Sequence, residues 1–195
     1  ALQFHEVRVK VTFGDLGGSH TIDSAKLFAD YVYLDEEERQ RFSQSAQEYL
    51  IEQVQHKSSS TSTGANNISI PFNHPVKELI WATRDTTSGD LKASGTGTNK
   101  ITFNGQDRAA ARSSDYFNLV QPYQHHTRIP GDGVHVYSFG LRPEEHQPSG
   151  TVNFSRIDNA SMTIDAAGTT NVDIYAVNYN VLRVQSGLGG LAYSN

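Results

Sequence analysis

Apolar residues in this chain recur at every second position, in short runs broken by tracts of Gly, Ser, Thr and Asn, and that period constrains the fold more than any other feature. A period of two sends alternate side chains to opposite faces of a strand, so each run offers one face to a core. The runs are FADYVYL (28–34), YLIEQVQ (49–55), ISIPF, VKELIWATR (76–84), ITFNG, GVHVYSFGL (133–141), VNFSRI, ASMTID and NVDIYAVNYNVLRV (171–184). A helical period is nearly absent. The exception is DEEERQRFSQSAQ, where Asp35 can cap a helix, Glu38 sits three residues on as in a capping box, and Glu36 and Glu37 suit the positive end of the helix dipole. A short helix over 36–46 is predicted. Helix-start chemistry explains this acidic cluster without a metal. Many short strands with turn signals between them argue an all-β antiparallel sandwich or barrel with one or two short helices, and long excursions between strands suit a jelly roll.

Two polar tracts, HKSSSTSTGANN (56–67) and DTTSGDLKASGTGTNK (85–100), carry too little apolar surface to pack and are expected as outer inter-strand loops. At the front, Val7, Val9, Val11 and Phe13 alternate with Glu6, Arg8, Lys10 and Thr12, which predicts a strand that needs a sheet to join. GDLGGSHTIDSAK (14–26) then reads as a linker. The expected organisation is therefore a terminal strand of a preceding, missing piece plus linker over 1–26, and one domain over 27–195.

Composition removes several function classes. The 195 residues include no cysteine, so disulfides, zinc–thiolate sites and cysteine nucleophiles are excluded. A formal net charge of −5 supplies no basic field for wrapping nucleic acid. No stretch approaches the roughly 18 uninterrupted apolar residues of a membrane-spanning helix.

Few residues remain as chemical candidates. His125 and His126 are adjacent and on a strand would point apart, and the His-x-His of a cupin-like metal site is missing. His135 and Tyr137 share one face of their strand, Val134 and Val136 the other, and His135 is expected as an ordinary surface or interface histidine. No Gly-x-Ser-x-Gly elbow, His-Glu-x-x-His pair or phosphate-binding glycine loop occurs. The densest chemistry is PEEHQPSGTVNFSRID (143–158). Glu144, Glu145 and His146 could supply an acid, a base and a ligand. Yet Pro143 and Pro148 fix the backbone around them, and Ser149 and Gly150 are turn residues, so a structural corner is the expected role. Arg156 and Asp158, two apart on an expected strand, would share a face and could form an ion pair. No catalytic residue, cofactor or metal is assigned.

The run GVHVYSFGLRPEEHQPSGTVNFSRIDNASMTI, with DIYAVNYNVLRVQSGLGGLAYSN at the end, resembles the closing third of the major capsid protein family of the nucleocytoplasmic large DNA viruses. ALQFHEVRV, DYVYLDEEERQRF, EYLIEQVQ and NHPVKELIW resemble it as well. The resemblance implies the second jelly roll of a double jelly-roll protein, with ALQFHEVRVKV similar to the last strand of the first. It further implies homotrimers that form pseudo-hexagonal capsomers of an icosahedral shell. Neighbouring capsomers and minor capsid proteins would be the partners, with no direct nucleic acid contact and no membrane insertion, and the location would be the virion, assembled in host cytoplasm. Glu144, Glu145, His146, Pro148, Gly150, Arg156 and Asp158 would then form a corner and interface. Tyr123, Tyr137, Tyr175 and Tyr179 are suitable interface aromatics, and the Gly-rich C-terminus is expected to dock on a neighbour or on its own barrel. Three Asn-x-Ser sequons occur, at Asn67, Asn153 and Asn159, of which Asn67 beside a polar tract is the candidate for glycosylation. A jelly-roll carbohydrate-binding module and a cupin-like metalloenzyme are the readings from other classes.

Overall fold

A computed structural model describes residue 2 and residues 4–14, 21–92 and 97–194. Its elements in chain order are α1 (Glu36–Gln44), β1 (Gln47–Thr61), β2 (Gly64–Ser69), β3 (Pro75–Asp85), β4 (Thr98–Phe103), β5 (Gln106–Ser113), α2 (Gln121–His125), β6 (Val134–Ser138), β7 (Val152–Asn153), β8 (Ala160–Ala166), β9 (Thr170–Gln185) and β10 (Leu188–Leu191). A π-helical turn, Tyr116–Val120, leads into α2, and a 3-10 turn, Phe154–Arg156, follows β7.

One sheet has the order β1-β9-β3-β6, with β10 added to β9 and β7 to β3; the other has the order β2-β8-β4-β5. The pairings are nested: β1 with β9, β2 with β8, β3 with β6, β4 with β5. A long antiparallel ribbon wrapped into two sheets gives this pattern, which is the jelly roll. Trp81, Leu79 and Val76 from β3, Ile174 and Val172 from β9, and Met162, Ile164 and Ile101 from the second sheet meet in one buried core with Phe117 and Phe154. At the tip of β4 and β5, Asn104 and Gly105 have φ of 48° and 79°, the two left-handed residues that a tight hairpin matching the strand twist requires.

The chain divides into two compact units, one of residues up to Tyr49 with Leu182–Ala192, the other of Leu50–Val181 with the residues from Tyr193 on. The second carries the core. In the first, α1 starts at the expected cap: Asp35 accepts a 2.8 Å hydrogen bond from the Glu38 amide. The helix is one turn fraction shorter than expected, ending at Gln44, and buries no residue.

Several expectations change. Residues 5–13 and 28–34 form no strand; Val7, Val9, Val11, Phe28 and Tyr33 are exposed. A strand exists only against a partner, and the described residues offer these segments none. Part of the expected 14–26 linker, residues 15–20, lies outside the described residues. The tract at 56–67 is not a loop, because β1 continues through Thr61 and β2 starts at Gly64. Inward positions that would normally be apolar are filled there by hydrogen-bonding groups: Thr61 Oγ1 lies 2.8 Å from Thr170 Oγ1, and Lys57 Nζ donates to Ser69 O at 2.7 Å. In the tract at 85–100, Asp85 ends β3, residues 86–92 form a turn and connection, residues 93–96 lie outside the described residues, and β4 begins at Thr98. His135 is not at the surface. It is 2% exposed and stacks on its cross-strand partner Trp81, with ring centroids 5.5 Å apart. The His135 and Tyr137 face of β6 is the core face.

Candidate assembly surface

The corner between β6 and β7 is assembled from backbone contacts first. Phe139 N donates to Lys77 O (2.9 Å), and Arg142 N donates to Ser149 Oγ (2.8 Å). Gly140 and Gly150 pass so closely that a Cβ on Gly140 would stand 2.9 Å from Gly150 O, and Gly150 has φ of 143°. Only glycine fits both requirements. On this frame Glu144 accepts from the Thr127 amide at 2.9 Å, and Arg142 meets Glu145 at 3.0 Å. Desolvation pushes the Glu144 carboxyl up, but the hydrogen bonds from Thr127 and the nearby His126 outweigh it and hold the group below its usual range. Glu145, His146 and Asp158 are exposed. Arg156 sits in the 3-10 turn, not on a strand, and among the described residues no ion pair joins it to Asp158. Glu144, Glu145 and His146 are thus tied into a turn on the surface, and they do not converge on a common point.

The helical segment before the corner seals the edge of β6. Asn118 Nδ2 donates to Val134 O (2.7 Å) and Gly131 O (3.1 Å), while Ser138 N donates to Gln121 Oε1 (3.1 Å). Two buried amides therefore take the ladder partners that another strand would supply. His125 and His126 close α2 rather than lying on a strand; His125 Nδ1 lies 3.0 Å from Leu141 O, and His126 Nε2 lies 2.7 Å from Glu78 Oε2.

On the outer face of the β1-β9-β3-β6 sheet, Asp173 gathers three strands. His56 Nε2 lies 3.0 Å away, Arg84 Nε 3.3 Å, and Ser58 Oγ donates to the same carboxylate. Desolvation pushes the Asp173 carboxyl up, but Ser58, His56 and Arg84 together hold it below its usual range. Sequence reasoning did not find this Ser-His-Asp group, since Asp173 lies 117 residues from His56 and 115 from Ser58. A nucleophilic triad needs the serine proton directed at one imidazole nitrogen and the carboxylate on the other. Here both Ser58 and Asp173 face Nε2, and the serine proton goes to the carboxylate, so the group is a cross-strand tie. His56 also stacks on Tyr175, with centroids 4.6 Å apart. In the bulge of β3, Lys77 reaches Glu52 at 2.5 Å and lies over the Tyr179 ring. Among the described residues, no three His, Cys, Asp or Glu side chains are grouped to hold a metal ion.

Of the four tyrosines singled out, Tyr137 and Tyr179 are buried, Tyr175 is half-buried, and Tyr123 is 80% exposed. Asn67 is exposed on β2, the edge of its sheet. Asn153 caps the 3-10 turn through Ser155 N (3.1 Å), and Asn159 N donates to Asn104 Oδ1 (2.9 Å). Near the C-terminus, Asn180 grips Tyr193 by both backbone groups, Nδ2 to O at 2.9 Å and Oδ1 from N at 3.3 Å.

Residues 38–190 match the family model described as large eukaryotic DNA virus major capsid protein. The major capsid protein of Pyramimonas orientalis virus is 47% identical, covering 100% of this chain and 56% of its own length. That of Paramecium bursaria Chlorella virus 1 is 38% identical, covering 100% of this chain and 62% of its own. The chain thus spans a little over half of these relatives. Among solved structures, the quasi-atomic model of the PBCV-1 virus capsid matches with a TM-score of 0.74 at 37% identity, over 85% of this chain and 56% of that one. With the nested strand pairing, these matches place the chain in the large eukaryotic DNA virus major capsid protein family.

Proposed function

We propose that this barrel is the second jelly roll of a capsid brick whose trimers form pseudo-hexagonal capsomers of an icosahedral virus shell. The nested eight-strand pairing carries the proposal, because it builds a closed, tied block with its polar side chains spent on cross-strand bonds. The role is structural and not enzymatic, its site of action is the virion, and assembly takes place in host cytoplasm. Homotrimer partners, neighbouring capsomers and minor capsid proteins meet the side faces and the corner that holds Glu144, Glu145, His146, Pro148, Gly150, Arg156 and Asp158. Residues 1–26 belong to a preceding jelly roll and its linker; the exposed alternation of Val7, Val9, Val11 and Phe13 supports this, since it suits a strand with a sheet still to join. Asn67, exposed on the edge strand β2, is the sequon position proposed for a glycan, and an intact-mass measurement of virion protein reads whether it carries one. Light scattering on the full-length chain tests the reading: three copies per particle are expected, and a strictly monomeric protein would contradict it.

A further inference from the structure

One dipeptide of this chain carries a chemical liability that the fold itself governs. Asn104-Gly105 is the only Asn-Gly in the sequence. It forms the two-residue tip between β4 and β5, flanked by the paired Phe103 and Gln106. An asparagine side chain in front of glycine is open to attack by the next backbone nitrogen, because glycine has no side chain to stand in the way.

The closed hairpin opposes that attack in two ways. With φ of 48° and 79°, Asn104 and Gly105 form the turn whose first central residue has ψ of about 30°. Since Cβ is offset by about 120° around Cα, the Gly105 nitrogen lies about 150° from eclipsing Cβ and points away from Cγ. Ring closure needs the two nearly eclipsed, and a rotation of that size undoes the pairing of Phe103 with Gln106. The side chain is also tied. Asn104 N donates to Asn159 O (2.7 Å), and Asn159 N donates to Asn104 Oδ1 (2.9 Å), which holds the side chain against the residue preceding β8.

We propose that Asn104 is a modification site that the closed hairpin keeps silent and that converts through a succinimide when β4 and β5 part at their tip. The Gly105 nitrogen gives its proton to solvent hydroxide and bonds to Cγ of Asn104; the Cγ to Nδ2 bond breaks and ammonia leaves. Water then opens the ring at either carbonyl, so that an amide and water become a carboxylic acid and ammonia with no change of oxidation state. One opening gives aspartate, the other isoaspartate, whose main chain is one carbon longer. Aspartate keeps the turn, since it tolerates a left-handed backbone as asparagine does and still offers Oδ1 to Asn159. Isoaspartate does not, because the added carbon shifts β5 against β4 and the Asn159 bonds together. The site is thus a one-way mark of a barrel that has opened.

The test incubates full-length protein at mildly alkaline pH, folded in one sample and unfolded in guanidinium chloride in the other. Mass spectrometry of the peptide holding residues 104 and 105, with fragmentation that separates aspartate from isoaspartate, reads the conversion. The unfolded sample is expected to convert at least about ten-fold faster than the folded one. After refolding, isoaspartate should be depleted from the soluble barrel while aspartate is retained. Asn104→Asp, which adds the charge without the extra carbon, should melt with the parent. Equal rates in the two samples overturn the protection, and no conversion in either overturns the site. Isoaspartate that refolds as well as aspartate, or a marked stability loss in Asn104→Asp, overturns the one-way mark.

Discussion

His126 Nε2 and Glu78 Oε2 lie 2.7 Å apart with side chains only 12% and 9% exposed, and the other imidazole nitrogen, Nδ1, is buried without a hydrogen-bond partner. The pair fastens the end of α2 to the middle of the larger sheet. A largely buried charge left alone is costly, whereas an apolar pair of similar volume can be close to neutral. His126→Ala, which leaves the Glu78 carboxylate buried without its partner, should therefore lower stability by about 3 kcal/mol, and the double change Glu78→Leu with His126→Leu should cost less than His126→Ala. Denaturant unfolding of the two variants and the parent checks this. Equal or larger loss in the double variant would mean the pair stabilises beyond its desolvation cost.

His135 predicts how the barrel responds to acid. Burial lowers its pKa from 6.5 to about 4, against a smaller raising effect of the Trp81 backbone and Asp115. The native state keeps the ring neutral while the unfolded chain takes up a proton, so stability is full above pH 6.5 and falls as pH drops from there towards 4. The loss over that window is about 3 kcal/mol. The depressed carboxyls of Asp173 and Glu144 act at lower pH, since their ordinary values are 3.8 and 4.5. His135→Phe should flatten the stability curve between pH 6.5 and 4.5, read by thermal melts across that range.

The strands β8 and β9 were legible because the core face carries Met162, Ile164, Val172 and Ile174 at every second position, and β3 because Leu79 and Trp81 stand out in a strand that buries both faces. The second half of β1 was not, because Lys57, Ser59 and Thr61 fill the inward positions, and Lys57 and Thr61 hydrogen-bond rather than contribute apolar area. β5, QDRAAARS, exposes most of both faces and carries no period. The segment 116–125 is fixed by Asn118 and Gln121, whose role exists only once the edge of β6 stands beside them. His135 reads as a polar residue on an alternating strand; the stacked Trp81 that makes its face the inner one is 54 residues away, a separation no local pattern carries. At the corner, the prolines and glycines at 143–150 marked a turn, but the bond from Thr127 to Glu144 and the partnership of Gly140 with Gly150 are tertiary facts.

Gly97 is another close approach. A Cβ there would stand 1.8 Å from the carbonyl oxygen of Asp165, which is backbone of β8. Gly97→Ala should force the start of β4 away from β8 and cost more than 2 kcal/mol, an overpacking cost of the usual order of about 1–3 kcal/mol or above. Gly168→Ala, with nothing within 4 Å of its Cβ, should change stability by less than about 0.5 kcal/mol. Paired melting curves of the two variants decide it.

Asn180 holds Tyr193 through both groups of its side-chain amide and also reaches Gln53 at 2.9 Å. Asn180→Ala should release the last residues, so that carboxypeptidase trims the variant well before the parent while the core unfolds at nearly the same denaturant concentration. Identical trimming in both would show that Tyr193 is held by other contacts.

The central claim is that this barrel tiles a shell with copies of itself, and cryo-electron microscopy of purified virions tests it most directly. The account predicts capsomers in which three copies of this eight-strand barrel alternate with three other barrels around each pseudo-hexagon. Virions whose shell lattice lacks this barrel, or holds it as isolated single copies, would contradict it.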